Sequence, residues 1–323
     1  MSRRAAPDPV HDALRSWAAE HELPERWAVA FSGGADSTAL LRAAHALWPQ
    51  RVHALHINHG LQAAAADFER HCVSLCAALG VPLRIVAVDA RAQSGQSPEE
   101  AARRARYAAL AQAAGDMGCA QVWLAHHADD QVETVLLALS RGAGVSGLAA
   151  MPALMTRAQV VFARPLLSVA AQSVRDWLRQ QQHAYCDDPS NADCQLTRNR
   201  IRHQVLPAFR QAFPAMGKTV SRTAAHMAQA QRLLQELAQL DLAHIGQPPK
   251  IAALQALSPD RQANVLRHWL HAVHGVSPSA AQLEALQHQI LACKTRGHRL
   301  DLRVGPGRVV RLHDALAYVP PAA

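Results

Sequence analysis

The stretch Ala28-Val29-Ala30-Phe31-Ser32-Gly33-Gly34-Ala35-Asp36-Ser37-Thr38 decides how this chain folds. Val29 to Phe31 form a short apolar run that stops at two glycines, and from Thr38 onward Ala39, Leu40, Leu41, Ala44 and Leu47 recur at helical spacing. The pattern predicts a strand, a tight loop and a helix. Adjacent glycines open backbone conformations closed to other residues, and the first turn of a helix presents unpaired N–H groups at the positive end of its dipole. Ser32, Gly33, Gly34, Ala35, Asp36 and Ser37 are therefore candidates to hold a phosphate. Asp36 alone would repel that phosphate, so its presence implies a magnesium ion between the two, with Asp36 as ligand. The plainer alternative is a tight turn with Asp36 as a helix cap. The loop lacks the lysine that the Walker form places before Ser/Thr.

Working outward, apolar strands near 27–31, 52–57, 83–88, 121–125 and 159–163 alternate with helical patterns. This is the signature of an α/β fold, a parallel sheet with helices on both faces. Ligands in such folds lie beyond the carboxyl ends of the strands, so loops at 32–37, 58–62, 89–97 and 126–131 are expected to converge on one crevice. The second loop carries His56, Asn58, His59 and Gly60. The third leads into Ser97-Pro98-Glu99-Glu100, a helix start whose glutamates can pair with Arg103 and Arg104 at i,i+4. Arg106 has no such neighbour and is free to hold a phosphate. The fourth strand ends in His126-His127-Ala128-Asp129-Asp130-Gln131-Val132-Glu133-Thr134. A helix starting near Asp129 puts Asp130 and Glu133 on its first turn, where carboxylates can meet a cation or take protons. A zinc site on His126 and His127 is weakly supported, because adjacent histidines need not point the same way. Two further motifs fail on context. Gly142-Ala-Gly144-Val-Ser-Gly147 follows a helix instead of a strand, and Gly217-Lys218-Thr219 has Ala212 where a Walker loop needs glycine.

The chain has 323 residues, half of them hydrophobic, enough for two domains. The expected division is 1–215, a nucleotide-binding catalytic domain, and 216–323, a long connecting helix over about 219–243 followed by a smaller α+β domain. In the latter, Ser258-Pro259 and Ser277-Pro278 open helices, and Gly305-Pro306-Gly307 joins two strands. No run approaches the roughly 20 apolar residues of a membrane helix, and the first residues lack a signal-peptide core, so a cytoplasmic protein without a membrane partner is expected. Six cysteines contain no C-x-x-C pair, which argues against a zinc knuckle, an iron–sulfur cluster or a redox dithiol. The formal charge is +8 and is unevenly placed. Between Asp193 and Glu236 there is no acid, but there are Arg198, Arg200, Arg202, Arg210, Lys218, Arg222 and Arg232. A second basic cluster runs from Lys294 to Arg311. Two such stretches beside a phosphate loop point to a nucleic acid partner.

Taken in order, Ser32-Gly-Gly-Ala-Asp36-Ser, Asn58-His59-Gly60-Leu61, Ala102-Arg103-Arg104-Ala105-Arg106-Tyr107, His127-Ala-Asp129-Asp130-Gln-Val-Glu133-Thr, Arg141-Gly142-Ala-Gly144-Val-Ser-Gly147-Leu148, Arg164-Pro165-Leu166-Leu167 and Asp188-Pro-Ser-Asn191 with Arg198-Asn199-Arg200 resemble the tRNA(Ile)-lysidine synthetases. These enzymes belong to the PP-loop ATP pyrophosphatases. The resemblance is strong over residues 25–215 and looser beyond. It implies a ligase that uses ATP and Mg²⁺ to join free L-lysine to the first anticodon cytidine of tRNA(Ile) bearing CAU, through an adenylated cytidine. It also implies that Ser32 to Ser37 hold the departing pyrophosphate, that Asp36, Arg106, Asp130 and Glu133 serve the chemistry, and that His127, Arg198, Arg200 and Arg202 contact the tRNA. Longer members of the family carry a further C-terminal domain, so discrimination here is expected to rest on the second domain and the basic stretches. A homodimer is the default expectation for assembly. Of the rivals, a tRNA thiolase needs the missing C-x-x-C pair, and an amidating ligase needs a glutaminase domain for which no segment remains. A noncatalytic RNA-binding module leaves Asp36, Asp130 and Glu133 unexplained.

Overall fold

The computed structural model describes residues 8–58, 65–88, 98–187, 193–295 and 297–321. The chain forms two compact units, residues 1–228 and 229–323. In the first unit the elements run α1 (Pro9–Glu20), β1 (Trp27–Ala30), α2 (Ala35–Leu47), β2 (Val52–Asn58), α3 (Ala65–Leu79), β3 (Leu83–Ala87), α4 (Pro98–Asp116), β4 (Gln121–Trp123), α5 (Ala128–Ser140), α6 (Val145–Leu148), β5 (Leu154–Arg157), β6 (Val160–Ala163), α7 (Ala171–Gln180), α8 (Thr197–Arg200), a π-helical turn (Ile201–Val205) and α9 (Leu206–Ala212). The six-stranded sheet has the order β3-β2-β1-β4-β6-β5. Its first five strands are parallel, and β5 runs antiparallel to β6.

Strand residues alternate between two cores, as period-2 geometry requires of a sheet covered on both faces. Trp27, Val29 and Trp123 pack on α1, α2, α3 and α7, and Ala28, Val122 and Phe162 pack on α4 through Tyr107, Leu110, Ala111 and Ala114. The rings of Trp27 and Trp123 stack with centroids 4.8 Å apart, and Trp48 stands edge-on to both. Cys72 and Cys76 are buried in the first of these cores on one face of α3.

Three local features differ from the sequence reading. The β5 edge strand was not anticipated. It is joined to β6 by Ala158 and Gln159, both at positive φ (46° and 63°), a two-residue turn of the kind usually marked by Asn-Gly. The basic segment does not close at Leu206-Pro207, because Pro207 sits in the first turn of α9, where a missing N–H costs nothing. The helix expected after Ser277-Pro278 starts at Ala280, capped by Ser279 and Gln282.

The helix α10 (Met216–Ile245) spans the boundary between the units. The second unit continues with α11 (Ile251–Gln255), α12 (Pro259–His274), α13 (Ala280–Ala292) and a three-stranded antiparallel sheet, β7 (Asp301–Val304), β8 (Gly307–Leu312) and β9 (Ala315–Val319). Leu266, Trp269, Leu270, Leu286, Ile290, Val309 and Leu316 form its core. Among the described residues no helix is long and apolar enough to cross a membrane.

Candidate active site

The strand order changes direction between β1 and β4, because the chain winds outward from β1 to β3 and then returns to place β4 on the other side. At such a switch point the loops after the two strands diverge and leave a crevice. Here it measures about 600 Å³ and is lined by Ser32, Gly34, Ala35, Asp36 and Ser37 from the β1–α2 loop and by Asn58, Arg106, His126, Asp130 and Arg202, among others.

The loop holds its shape through its own hydroxyls. Ser32 N donates to Ser37 Oγ (3.2 Å), Gly34 N donates to Ser32 Oγ (3.3 Å), Ser37 Oγ donates to Gly34 O (3.1 Å), and the two hydroxyls lie 3.0 Å apart. Gly33 sits at φ +85°, and a Cβ there would meet Cys72 Sγ at 3.2 Å, so glycine is required twice over. Its carbonyl accepts from Cys186 N (2.9 Å), which ties the segment after α7 to the loop. Gly34 caps α2 with no side-chain hydrogen bond. The first N–H groups of that helix are thus left for an anion, as the sequence predicts.

Opposite the loop, α5 begins at Ala128 with His127 as its cap. His127 is buried between two carboxylates, with Nε2 3.5 Å from Asp36 Oδ2 and Nδ1 3.3 Å from Asp130 Oδ2. Burial opposes the charged ring, but the hydrogen bond to Asp36 and the charges of Asp130, Asp36 and Asp129 outweigh it and lift the pKa to about 9. Nδ1 also lies 3.3 Å from Asp130 N. A charged ring cannot accept there, so the carboxylate of Asp130, taking His127 N at 2.9 Å, carries the cap.

Asp130 lines the crevice, whereas Glu133 does not. Glu133 is fully buried, and its two oxygens accept from Arg202 Nε (2.7 Å) and Nη2 (3.0 Å). Burial pushes its carboxyl above the ordinary value while the guanidinium of Arg202 pulls it down, and the two-pronged contact is that of an ionised pair. Arg202 in turn lines the crevice and stands 3.6 Å from Asp130 Oδ1. Three residues of spacing therefore bring Asp130 and Glu133 together on one helix but give them different surroundings. Asp129 caps α7 by accepting from Ala171 N (2.6 Å) and pairs with Arg210.

Arg106 lines the crevice from α4, and among the described residues no carboxylate pairs with it. Desolvation, then the nearby guanidiniums of Arg103, Arg198 and Arg164, lower its pKa, while the side chain keeps contact with solvent. His126 is held neutral, first by burial and then by Arg164. Its Nδ1 accepts from Arg164 Nε (3.2 Å), which puts the ring proton on Nε2. Arg198 lies outside the crevice, donating to Thr134 Oγ1 (3.2 Å), and Arg200 is exposed, donating to Thr197 Oγ1 (3.3 Å). Sequence reasoning missed Arg175 on α7, together with Cys186 and Asp187, all of which line the crevice. Arg175 stood on the polar face of an amphipathic helix with no motif to mark it. The expected contributions of His59, Gly60 and residues 89–97 lie outside the described residues, and so do the side chains of Glu99 and Glu100 on which their expected ion pairs depend.

Asp36 Oδ1 is shielded from solvent and has no hydrogen-bond partner, while Oδ2 faces His127. An orphaned carboxylate oxygen at a phosphate loop fits a magnesium ion. Among the described residues no group of three or more His, Cys, Asp or Glu could form a metal cage.

Residues 10–209 match the family model of the PP-loop domain, and residues 250–316 match that of the TilS substrate binding domain. A tRNA(Ile)-lysidine synthase of Polaromonas naphthalenivorans is 60% identical over 295 residues, 91% of this chain and 90% of that protein. Those of Ralstonia nicotianae and Burkholderia pseudomallei are 42% and 43% identical over 91% and 83% of this chain. The matches span only 64% and 56% of those two longer relatives. Among solved structures, the U34-tRNA thiolase of Methanococcus maripaludis superposes with a TM-score of 0.58 at 16% identity, covering 68% of this chain and 78% of that one, a likeness of fold. With a glycine loop opening α2, Asp36 beneath it and both family models matched in order, the chain belongs to the tRNA(Ile)-lysidine synthases, built on a PP-loop ATP-binding domain.

Proposed function

We propose that this chain is a ligase that joins free lysine to the first anticodon cytidine of tRNA(Ile) bearing CAU. ATP adenylates the cytosine carbonyl, pyrophosphate leaves, and the lysine amine displaces AMP to give lysidine. The observation that carries this reading is the gathering in one crevice of an uncapped helix N-terminus, the orphaned oxygen of Asp36, and Arg106, Arg202 and Asp130. Family membership supports the substrate class, and a tRNA substrate supports a cytoplasmic setting.

The first barrier is charge build-up on the phosphates. N–H groups of the loop and of the first turn of α2 meet the leaving pyrophosphate, and Arg106 and Arg202 offer cations on the facing wall. Asp36 would hold Mg²⁺, which supplies further neutralisation of the phosphates when bound. The second barrier is the need for a neutral amine. Asp130, a crevice carboxylate on the first turn of α5 beside His127, is the group we assign to take the proton. Glu133 acts one step back by fixing Arg202.

The test is to incubate the protein with ATP, Mg²⁺, labelled lysine and a CAU-bearing tRNA(Ile) transcript. Label in the RNA with release of AMP and pyrophosphate is expected. Absence of label while a known lysidine synthase labels the same transcript would refute the reading.

A further inference from the structure

We propose that Phe213 and the apolar groove around it form a stacking platform for an unpaired base of the tRNA substrate, a binding element separate from the crevice. The inference rests on the nucleic acid reading above and adds a contact to it.

Phe213 follows α9 and is 59% exposed, the one aromatic residue among the exposed large apolar side chains of the described residues. Four such side chains, Leu196, Val205, Phe213 and Leu233, fall within the acid-free stretch, and the first three are interspersed with Arg198, Arg200, Arg202 and Arg210. Phe209, Pro214, Met216 and Thr219 complete the groove. The rings of Phe209 and Phe213 meet at 71° with centroids 5.4 Å apart, so the two do not stack face to face.

Charge selects the occupant. Arg198, Arg202 and Arg210 are engaged with Glu133, Asp130 and Asp129. Arg200, Lys218 and Arg222, by contrast, have no carboxylate partner among the described residues and are exposed. An exposed aromatic side chain in an acid-free stretch that also carries exposed, unneutralised cations, Lys218 among them between the groove residues Met216 and Thr219, suits a base attached to its phosphate, because stacking is tolerant of sequence and cations meet the backbone. The groove is also anchored to the catalytic wall. Met216 packs with Val132 of α5, the helix that presents Asp130 to the crevice. A base held there fixes the RNA relative to the reacting groups.

The experiment compares wild type with Phe213→Ala, Phe213→Trp and Phe213→Leu for affinity toward the CAU-bearing tRNA(Ile) transcript and for lysine transfer. The side chain is exposed, so folding is expected to survive, and thermal unfolding of each variant verifies it. Loss of one base–aromatic stack predicts binding weakened about 5- to 150-fold in Phe213→Ala. Phe213→Trp should bind like wild type, while Phe213→Leu should stay weak because it keeps apolar bulk without a π face. Equal affinity of Phe213→Ala and wild type overturns the proposal, and is also what a groove reserved for another protein would give. Recovery by Phe213→Leu overturns stacking as the cause. Wild type that binds the transcript but transfers no lysine refutes the activity and leaves the comparison of affinities to decide the platform.

Discussion

Replacing Glu133 by glutamine separates a supporting role from a chemical one. Glu133 is fully buried, and Arg202, with 31% of its side chain exposed, is its two-pronged partner. The amide can accept one of the two guanidinium hydrogen bonds, but its NH₂ group then faces the other, and Arg202 keeps its charge with only the more distant Asp130, at 3.6 Å, to balance it. Removing one partner of a buried pair costs about 3–5 kcal/mol, because the remaining charge stays desolvated. The partial exposure of Arg202 favours the lower end. At roughly 2–4 °C per kcal/mol for a unit of this size, the melting temperature should fall by about 6–12 °C. Thermal unfolding followed by circular dichroism measures this, with lysine transfer assayed well below the transition. Replacing the pair together, as Glu133→Gln with Arg202→Met, should recover part of the stability while activity stays low, since Arg202 lines the crevice. A Glu133→Gln variant with wild-type melting and a rate loss of about 10²–10³ would show that Glu133 acts on the substrate, and the positioning argument would be wrong.

Asp130→Asn preserves the cap on His127 N but removes the charge in the crevice, so single-turnover lysine transfer should slow by about 10²–10³ with tRNA affinity unchanged. A defect confined to affinity would reassign the residue. Gly33→Ala forces a side chain into the left-handed region and toward Cys72, so the loop should distort and ATP binding, read by calorimetry, should weaken. The strain alone is worth about 1–2 kcal/mol, and Gly34→Ala, at φ −75°, should leave stability unaffected while crowding the phosphate. Burial opposes ionisation of Asp129, but hydrogen bonds from Arg210 and Ala171 N outweigh it and hold the carboxyl below its ordinary 3.8. A depressed folded-state pKa contributes stability above the unfolded value that is lost as pH falls through the folded one. Denaturant midpoints should therefore drop below about pH 4 in wild type and drop less in Asp129→Asn.

The doubly covered sheet was readable because strand periodicity and helix signals agree at every step from Trp27 to Phe162. The loop was readable because glycine at positive φ and an uncapped helix start leave direct marks in sequence. The edge strand β5 left none. It has only four residues, alternates exposed and half-buried positions, and turns at Ala158-Gln159, where no glycine or asparagine announces the reversal. Glu133 shows a different limit. Helical spacing correctly puts it beside Asp130, but its partner lies 69 residues away, and nothing local tells that Arg202 reaches it. Arg106 is the converse case, since the absence of an acid at i±3 and i±4 carried through to the folded crevice.

Folding changes what the basic stretch can do. From sequence, seven cations without an acid between Asp193 and Glu236 read as a surface for a polyanion. Folding brings Asp129, Asp130 and Glu133 of α5 against Arg198, Arg202 and Arg210, so about half of that charge holds the segment onto the catalytic helix. Attraction for RNA then depends on cations left without carboxylates, such as Arg200, Lys218 and Arg222, and each neutralised phosphate steepens the salt dependence of binding by roughly 0.7 to 0.9 in log–log slope. The two groups of arginines thus have separable effects. Loss of Arg200 should flatten the salt dependence without loosening α5, whereas loss of Arg210 should loosen α5 first, because its charge is already taken by Asp129.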